Sequence, residues 1–566
     1  MSESPTMPMN TPVPCLARAV RSVFVGALGL VVGACASGGA PSATPEPAAP
    51  LIAREGAPRP KLVLFLTVDQ LRPDYLVRWD KQLSGGFRRL LDRGLFYTRG
   101  VQDHAITETA PGHASTLSGR FPYSTGIARN SAGVNTPDAP LVGSAGTGAS
   151  PFRFRGTTLA DWMTAADPRT RVLSVSRKDR GAILPIGRGK QPVYWYAPAI
   201  GGFVTSTWYA DSLPTWVSAF NATEPAMRHA GRSWELLLPD SAYPEKDSVS
   251  MESGGQDFTF PHLFPDDSLR ARNLLQTFPW MDEVTLDFAW RGVRELDLGA
   301  GPQTDLLAVS LSTTDAVGHR WGPDSRELHD QILRLDRALG VFLDSLIALR
   351  GEENIVIALT ADHGVAPIPE VRSTWGDNAG AGRVMATDFS PAVAQIAPIV
   401  QQSGIDPSAF SFDWLTMEVD RAKVGDKTRE LRQVARAFEK EVEKVPGVLR
   451  ADAIDDLAHA DTVKDAYARR WLHMFRPGGE VLVAITLKPY WYYGRGNSAT
   501  HGSPHDYDAQ VPILFWGAPF AGGRVDGPGA ARVVDIAPTL ASMLGIKPLE
   551  RLDGKPLRRA QSPRTP

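Results

Sequence analysis

The chain has 566 residues, of which 43% are hydrophobic and 22% charged, and its formal net charge is -2. This ordinary globular balance excludes a disordered chain, a collagen-like fibre and a polytopic membrane protein. The near-neutral charge argues against nucleic-acid binding, which usually requires a basic excess. Both cysteines, Cys15 and Cys35, lie near the N-terminus, so the remaining chain can hold neither a disulfide framework nor a thiolate metal site.

The N-terminal segment predicts export. Arg18 and Arg21 precede an apolar stretch over residues 22–34 that is too short and too rich in glycine for a good membrane span. A basic region, an apolar region and then small residues are typical of a secretory signal. Its end, Val32–Cys35, resembles a bacterial lipobox, which implies cleavage before Cys35, acylation of its thiol and a periplasmic or cell-envelope lipoprotein. The alternative is a plain signal peptide in which Cys35 is incidental.

We therefore divide the chain into four segments. Residues 1–34 are the predicted signal peptide, and residues 35–60, rich in alanine, serine, glycine and proline, are a predicted flexible tether. Residues 61–556 are predicted to form one catalytic domain, and residues 557–566 a tail. A membrane contact is expected only through the lipid anchor.

The catalytic segment alternates predicted strands with predicted helices. Apolar runs of strand length occupy 61–68, 172–176, 305–311, 354–360 and 511–516, and helical patterns occupy 86–93, 325–349 and 535–544. This alternation predicts an α/β fold with a doubly wound, mostly parallel sheet and helices on both faces. In such sheets ligands bind beyond the carboxyl ends of the strands.

Two stretches interrupt this alternation. Residues 190–280 are rich in Trp, Tyr, Pro and Asp, and residues 367–480 contain a separate βαβ-like pattern with a charged helix near 427–445. We interpret both as insertions that build a cap over the site. The alternative is that they only decorate the surface.

Carboxylates and histidines follow several predicted strands. Taken singly, each has an ordinary alternative as a helix N-cap, a turn residue or a satisfied histidine. Together they supply enough oxygen and nitrogen donors for two metal ions in one pocket, and zinc accepts such mixed shells, as do manganese and cobalt. Paired metals can clamp both the attacking and the leaving oxygen of an in-line displacement. The donors are Asp69, Asp315, His319, Asp362, His363 and His501.

Thr109 is the candidate nucleophile. It is expected to precede a short helix that begins near Ala110 or Pro111, where free N–H groups favour a phosphoryl group. A threonine hydroxyl is a weak nucleophile that metal coordination can activate. The alternative is a simple helix N-cap, a common position for threonine. Because the metal donors are also present, we favour the interpretation of Thr109 as the nucleophile.

In their order along the chain, these residues resemble the alkaline phosphatase superfamily, from about residue 61 to residue 550. The resemblance implies two zinc ions. It assigns one to Asp315, His319 and His501, and the other to Asp69, Asp362, His363 and the Thr109 oxygen. His113 and His505 match no ligand position. We expect His113 to pack in the core and His505 to lie at most behind the ligands.

Further residues distinguish the subfamilies. Thr109 to His113 lacks the Cys or Ser and the Arg that sulfatases need, whereas type I phosphodiesterases and nucleotide pyrophosphatases use threonine and share an asparagine that matches Asn130. Lys178 and Arg180, separated by one residue, resemble an element of the phosphate-irrepressible bacterial alkaline phosphatases. This resemblance implies that Asn130, Lys178 and Arg180 hold phosphate oxygens. The alternative for the charged pair is a solvated turn.

These assignments predict a phosphate monoester hydrolase that acts on small-molecule phosphate esters through a phosphothreonine at Thr109. Two cations favour a monoester dianion, because a diester carries less negative charge. The enzyme alternative is a phosphodiesterase or nucleotide pyrophosphatase that uses the same site. A different class of function is a surface lipoprotein that binds phosphate or a partner without catalysis.

Overall fold

The computed structural model describes residues 52–54, 56–377, 380–527 and 529–558. The described residues do not include the predicted signal peptide, the predicted acylation site Cys35, or most of the predicted tether and tail. These assignments stay predictions. Among the described residues, no helix is both long enough and apolar enough to cross a membrane.

The strands, numbered in chain order, are β1 Leu62–Val68, β2 Leu95–Val101, β3 Leu141–Val142, β4 Val172–Ser176, β5 Val193–Ala197, β6 Gly202–Ser206, β7 Ser233–Trp234, β8 His262–Leu263, β9 Asp305–Leu311, β10 Ile355–Thr360, β11 Gly382–Val384, β12 Phe410–Asp413, β13 Thr416–Val419, β14 Val448–Ala453, β15 Val481–Leu487, β16 Trp491–Tyr493, β17 Gln510–Trp516 and β18 Gly523–Val525.

The α-helices are α1 Pro73–Arg78, α2 Gly86–Arg93, α3 Thr109–Thr116, α4 Pro122–Thr125, α5 Leu159–Ala166, α6 Asp179–Ile183, α7 Thr215–Asn221, α8 Ser268–Leu274, α9 Trp280–Glu295, α10 Thr313–Trp321, α11 Arg326–Arg350, α12 Pro369–Arg372, α13 Ser390–Ser403, α14 Arg421–Val424, α15 Thr428–Val442, α16 Ile454–Leu457, α17 Ala466–Met474, α18 Asp506–Ala509 and α19 Ile536–Leu544.

Ten strands form one central sheet in the order β18-β2-β17-β10-β1-β9-β4-β5-β6-β3. Its middle, from β10 to β5, is parallel. Every residue of β1, β9 and β10 is buried, as expected for parallel strands covered on both faces. The predicted α/β fold with a mostly parallel central sheet is therefore confirmed.

Two features of the sheet differ from the expectation. The strand β17 runs antiparallel between β10 and β2, although its apolar run does not distinguish it from the parallel strands. The strands β5 and β6, which lie within the first predicted insertion, extend the central sheet beyond β4. Their aromatic residues are buried in the main core, so the start of this stretch belongs to the sheet.

The second predicted insertion contains its own small sheet, with strand order β12-β13-β15-β14. Helices α13 and α15 supply apolar side chains to a separate core beside this sheet. Helix α15 matches the predicted charged helix and buries Leu431, Val434 and Phe438 on one face. The role of this unit as a cap stays a prediction.

Candidate active site

The carboxyl ends of three neighbouring strands, β10, β1 and β9, supply the carboxylates of the site. The strands are parallel, so their carboxyl ends meet at one edge of the sheet. Asp69 directly follows β1, Asp362 lies just beyond β10, and Asp315 lies in the first turn of α10 after β9. All three side chains are almost completely buried.

Asp315, His319 and His501 form one compact group of donor atoms. The His319 Nε2 atom lies 3.2 Å from Asp315 Oδ1 and 3.2 Å from His501 Nε2. Helix α10 brings the first two together because residues four apart share one helix face. His501 arrives from the segment between β16 and α18. The structure thus assembles the three residues that the sequence assigns to one metal.

Asp69, Asp315 and His363 form a second compact group. The His363 Nε2 atom lies 3.5 Å from Asp69 Oδ1 and 3.4 Å from Asp362 Oδ2. Asp362 Oδ1 accepts hydrogen bonds from the N–H groups of Gln70 and His363, each at 3.1 Å. Asp362 therefore lies beside this group, whereas Asp315, which the resemblance assigns to the other metal alone, belongs to both groups.

The three histidines are oriented so that their Nε2 atoms face the carboxylates. Each Nδ1 lies within hydrogen-bonding distance of a backbone carbonyl: Ala499 O at 2.8 Å for His319, Thr107 O at 2.7 Å for His501, and Gly364 O at 3.0 Å for His363. A carbonyl accepts only, so the proton lies on Nδ1 and each Nε2 presents a lone pair.

This arrangement fits divalent metal ions. Lone pairs and carboxylate oxygens face each other closely, an arrangement that is unfavourable until a cation lies between them. Asp69 Oδ1 is buried and accepts no hydrogen bond from the described residues, which leaves it available as a ligand. A second hydrogen bond from each ligand to the backbone is the usual support of a metal-binding histidine.

Thr109 lies at the start of α3, one residue earlier than the predicted helix boundary. Its side chain makes no N-cap hydrogen bond, and the N-cap residue is Glu108. Instead, Thr109 Oγ1 lies 3.2 Å from Lys178 Nζ and 3.5 Å from His363 Nε2. The hydroxyl thus points into the pocket of metal donors, as a nucleophile would, and does not serve the helix.

Lys178 and Arg180 occupy different positions. Lys178, at the end of β4, is buried, and its Nζ lies 2.6 Å from Asp69 Oδ2 and 2.7 Å from Asp315 Oδ2. Arg180 is partly exposed on the wall of the groove that leads to the site, with Asp179 at 3.5 Å as its ion-pair partner. The structure thus brings Lys178 to Thr109, whereas Arg180 lies further out.

Asn130 is fixed beside the start of α3. Its side-chain Oδ1 accepts a hydrogen bond from the Ala110 backbone N–H at 2.8 Å, and its backbone N–H donates to Glu108 Oε2 at 2.6 Å. The amide NH₂ group is then the end that can donate to a ligand. The contact of Asn130 with a phosphate oxygen stays a prediction.

Three residues of the site have roles that the sequence does not reveal. Gln70 has a left-handed backbone (φ 65°) and donates from Nε2 to Asp315 Oδ1 at 3.0 Å. His113 contacts Asp362 Oδ2 at 3.1 Å and Ser310 Oγ at 2.8 Å, so it does more than pack. Arg177 is partly buried, with Nη2 3.8 Å from Asp315 Oδ2. His505 contacts Leu487 O and none of the metal donors.

The pocket shifts the pKa values of its carboxyl groups in opposite directions. Burial, together with the nearby Asp315 and Asp362, raises the pKa of Asp69 to about 7. Burial also acts to raise the pKa of Asp315, but Lys178 and His319 outweigh it and lower that pKa well below its usual value. The metal-free pocket therefore holds more negative charge than Lys178 alone can neutralise.

Comparison with known proteins places this site in a family. The sequence profile of the family described as type I phosphodiesterase / nucleotide pyrophosphatase matches residues 63–508. The chain belongs to this family. That assignment confirms the predicted relationship to the alkaline phosphatase superfamily, and it identifies the protein as a phosphoester hydrolase.

Several relatives of the chain carry alkaline phosphatase names. The chain is 32% identical to alkaline phosphatase PhoV of Synechococcus elongatus over 86% of this chain and 90% of the relative. It is 31% identical to alkaline phosphatase PafA of Elizabethkingia meningoseptica over 88% and 94%. A crystal structure of PafA superposes with a TM-score of 0.79 at 30% identity and covers 88% of this chain and 98% of that one.

Proposed function

We propose that this protein hydrolyses phosphate monoesters through attack by Thr109. The observation that carries the proposal is the position of Lys178 Nζ, 3.2 Å from the Thr109 hydroxyl and within ion-pair distance of Asp69 and Asp315. A buried ammonium beside the attacking oxygen can neutralise the charge of a transferred phosphoryl group. The relatives that are named alkaline phosphatases support the same activity.

Two zinc ions are the metals that we propose for the site. Asp315, His319 and His501 would hold one, and Asp69, Asp362 and His363 with the Thr109 oxygen would hold the other. When bound, such ions supply Lewis acidity that favours the ionised threonine hydroxyl and stabilises the departing oxygen. The mixed donor set and the backbone-anchored histidines support this assignment.

Different residues of the protein carry out the attack and hold the phosphate oxygens. Thr109 Oγ1 forms a bond to phosphorus while the bond from phosphorus to the ester oxygen breaks, which leaves a phosphothreonine and releases the alcohol. Lys178, the amide of Asn130 and the first N–H groups of α3 hold the equatorial oxygens, where the transition-state charge is concentrated. Arg180 is proposed to reach the same oxygens from the groove wall. The oxygen of a water molecule then bonds to phosphorus while the bond from phosphorus to Thr109 Oγ1 breaks, which releases inorganic phosphate and restores the Thr109 hydroxyl.

Replacement of Thr109 tests the nucleophile. We expect Thr109→Ala to lose turnover of an aryl phosphate and Thr109→Ser to retain a measurable part of it, with the metal content of both variants unchanged. Rapid acid quenching of the wild-type enzyme should trap phosphate on Thr109. Activity of Thr109→Ala close to that of the wild type would contradict the proposal.

A matched pair of substrates separates the remaining alternatives. We expect a higher kcat/KM for an aryl phosphate than for the corresponding methyl aryl phosphate diester, because Lys178 and Arg180 favour the dianion. A higher value for the diester would favour the phosphodiesterase alternative. Bound metal without release of phosphate from either substrate would favour the binding protein.

We further propose that the protein is exported and anchored through Cys35. The lipobox-like sequence and the following tether composition support this. Metabolic labelling with a radioactive fatty acid should label the wild-type protein and leave Cys35→Ala unlabelled. Equal labelling of the two would contradict the anchor.

A further inference from the structure

The groove that leads from the site to the surface has walls from two distant parts of the chain. Its floor includes Lys178, Asp315 and His319. One wall is the segment 250–257 and the other is the segment 495–498, and the Gly254 N–H donates to Ser498 Oγ at 3.3 Å between them. Since Thr109 is buried behind the floor, a substrate whose phosphorus lies at Thr109 extends along this groove.

The walls are polar and carry three further arginines beyond the predicted phosphate contacts. Arg320 forms an ion pair with Asp257 at 2.7 Å, and Arg383 forms one with Glu370 at 2.8 Å. Arg495 is exposed and forms neither an ion pair within 4 Å nor a hydrogen bond with any residue in the described part of the chain, although its charge acts on the nearby Glu370. The walls therefore carry an excess of positive charge that Arg495 supplies.

The loop that carries Arg495 is held in place by Arg383. The Arg383 guanidinium donates to the carbonyls of Gly494, Asn497 and Ser498 at 3.4, 3.2 and 2.9 Å. Asn497 Nδ2 lies 3.1 Å from His319 Nδ1, so this loop touches a residue of the metal-donor group. The position of Arg495 is thus tied to the end of the site from which the remainder of the substrate extends.

We infer that this groove selects monoesters whose alcohol portion carries a second anionic group, a carboxylate or another phosphate, and that Arg495 binds that group. The inference depends on the proposed monoesterase function. A guanidinium without a protein partner can form charge-assisted hydrogen bonds to either anion. A purely apolar alcohol finds little matching surface on these walls, where Met251 and Ala316 are the apolar contributors among the lining residues.

An isosteric pair of substrates tests the inference. We would measure kcat/KM for 2-phosphoglycolate and 3-phosphoglycerate, and for the carboxamide of each, which has the same shape without the charge. In the wild-type enzyme we expect the carboxylates to be preferred. Arg495→Gln should lower the carboxylate-to-carboxamide ratio by about fivefold, the size of one charge-assisted contact at an exposed site. Arg495→Lys should give an intermediate ratio.

Arg432→Gln is the control, because it removes another exposed positive charge, one that pairs with Asp456 at 4.0 Å and lies on α15, outside the groove. Its ratio should equal that of the wild type, and raising the salt concentration should lower the wild-type ratio but not that of Arg495→Gln. A wild-type ratio of one or below, or an unchanged ratio in Arg495→Gln, would overturn the inference. If the wild type hydrolysed none of the four compounds and no aryl phosphate either, the proposed function itself would fail.

Discussion

The ammonium of Lys178 lies 2.7 Å from the carboxylate of Asp315, and the same Nζ atom lies within hydrogen-bonding distance of Thr109. A carboxylate of the proposed metal site and the hydroxyl that we propose as the nucleophile thus share one cation. Because Lys178 is buried, this positive charge acts with little screening by water. This buried charge gives the pocket a strong local preference for a highly charged phosphoryl group.

Lys178→Ala should therefore lower kcat/KM for an aryl phosphate monoester by about 100-fold or more, the size expected for the loss of one buried electrostatic contact. For the matched methyl diester the loss should stay below about tenfold, because the diester has less charge to stabilise. Lys190→Ala, which removes an exposed lysine that stacks on Trp208, is the control. Equal losses for the two substrates would remove Lys178 from the selection of monoesters.

Gln70 should determine how tightly the metals bind. It connects both groups of ligands, since its N–H donates to Asp362 and its Nε2 donates to Asp315. We expect Gln70→Ala to weaken zinc binding by about 10- to 100-fold in competition with a chelator, as for other residues that orient metal ligands. Gln70→Glu should weaken it further, because the new carboxylate faces Asp315. Gln401→Glu, on an exposed position of α13, should bind zinc normally.

Asp69 should destabilise the metal-free protein at neutral and higher pH. Its pKa is raised from 3.8 to about 7, chiefly by burial, so the folded state binds more protons than the unfolded state between these values. Its contribution to stability is present below about pH 4 and is lost as the pH rises through 7. In the presence of chelator, Asp69→Asn should therefore raise the free energy of unfolding at pH 8 by about 2 kcal/mol.

The same comparison near pH 3 should show little difference between Asp69→Asn and the wild type, since the wild-type carboxyl is then mostly protonated in both states. Urea denaturation at both pH values measures the effect, with Asp211→Asn, an exposed position, as the control. Added zinc should reverse the order at pH 8. A metal-free Asp69→Asn variant that is less stable than the wild type at pH 8 would contradict this prediction.

Much of the fold and of the pocket could be predicted because their signals are local. Continuous apolar runs define β1, β9 and β10, and the acids that end them lie together because parallel strands share an edge. The antiparallel direction of β17 has no comparable signal, because its apolar run resembles those of its neighbours. The strand β5 is rich in aromatic residues, and so is the predicted insertion that follows it. Composition therefore does not separate this strand from the insertion.

The support around the ligands depends on contacts that sequence spacing does not contain. Gln70 reaches Asp315 only because its own backbone adopts a left-handed conformation after β1. His113 reaches Asp362 only because α3 packs closely against the backbone of Asp362, just beyond β10. Likewise, Lys178 is buried and Arg180 is partly exposed because of the direction in which α6 leaves the sheet, and the sequence does not specify that direction.

The donors of the site come from almost the whole length of the catalytic segment, from residue 69 to residue 501. One group requires α10 and the segment around His501 to be in place, and the other requires α10 together with the ends of β1 and β10. Such long-range contacts form slowly, since the intervening chain must first be ordered. Metal uptake should consequently be a late event in the life of each new molecule, so that bound metal marks a chain that has finished folding.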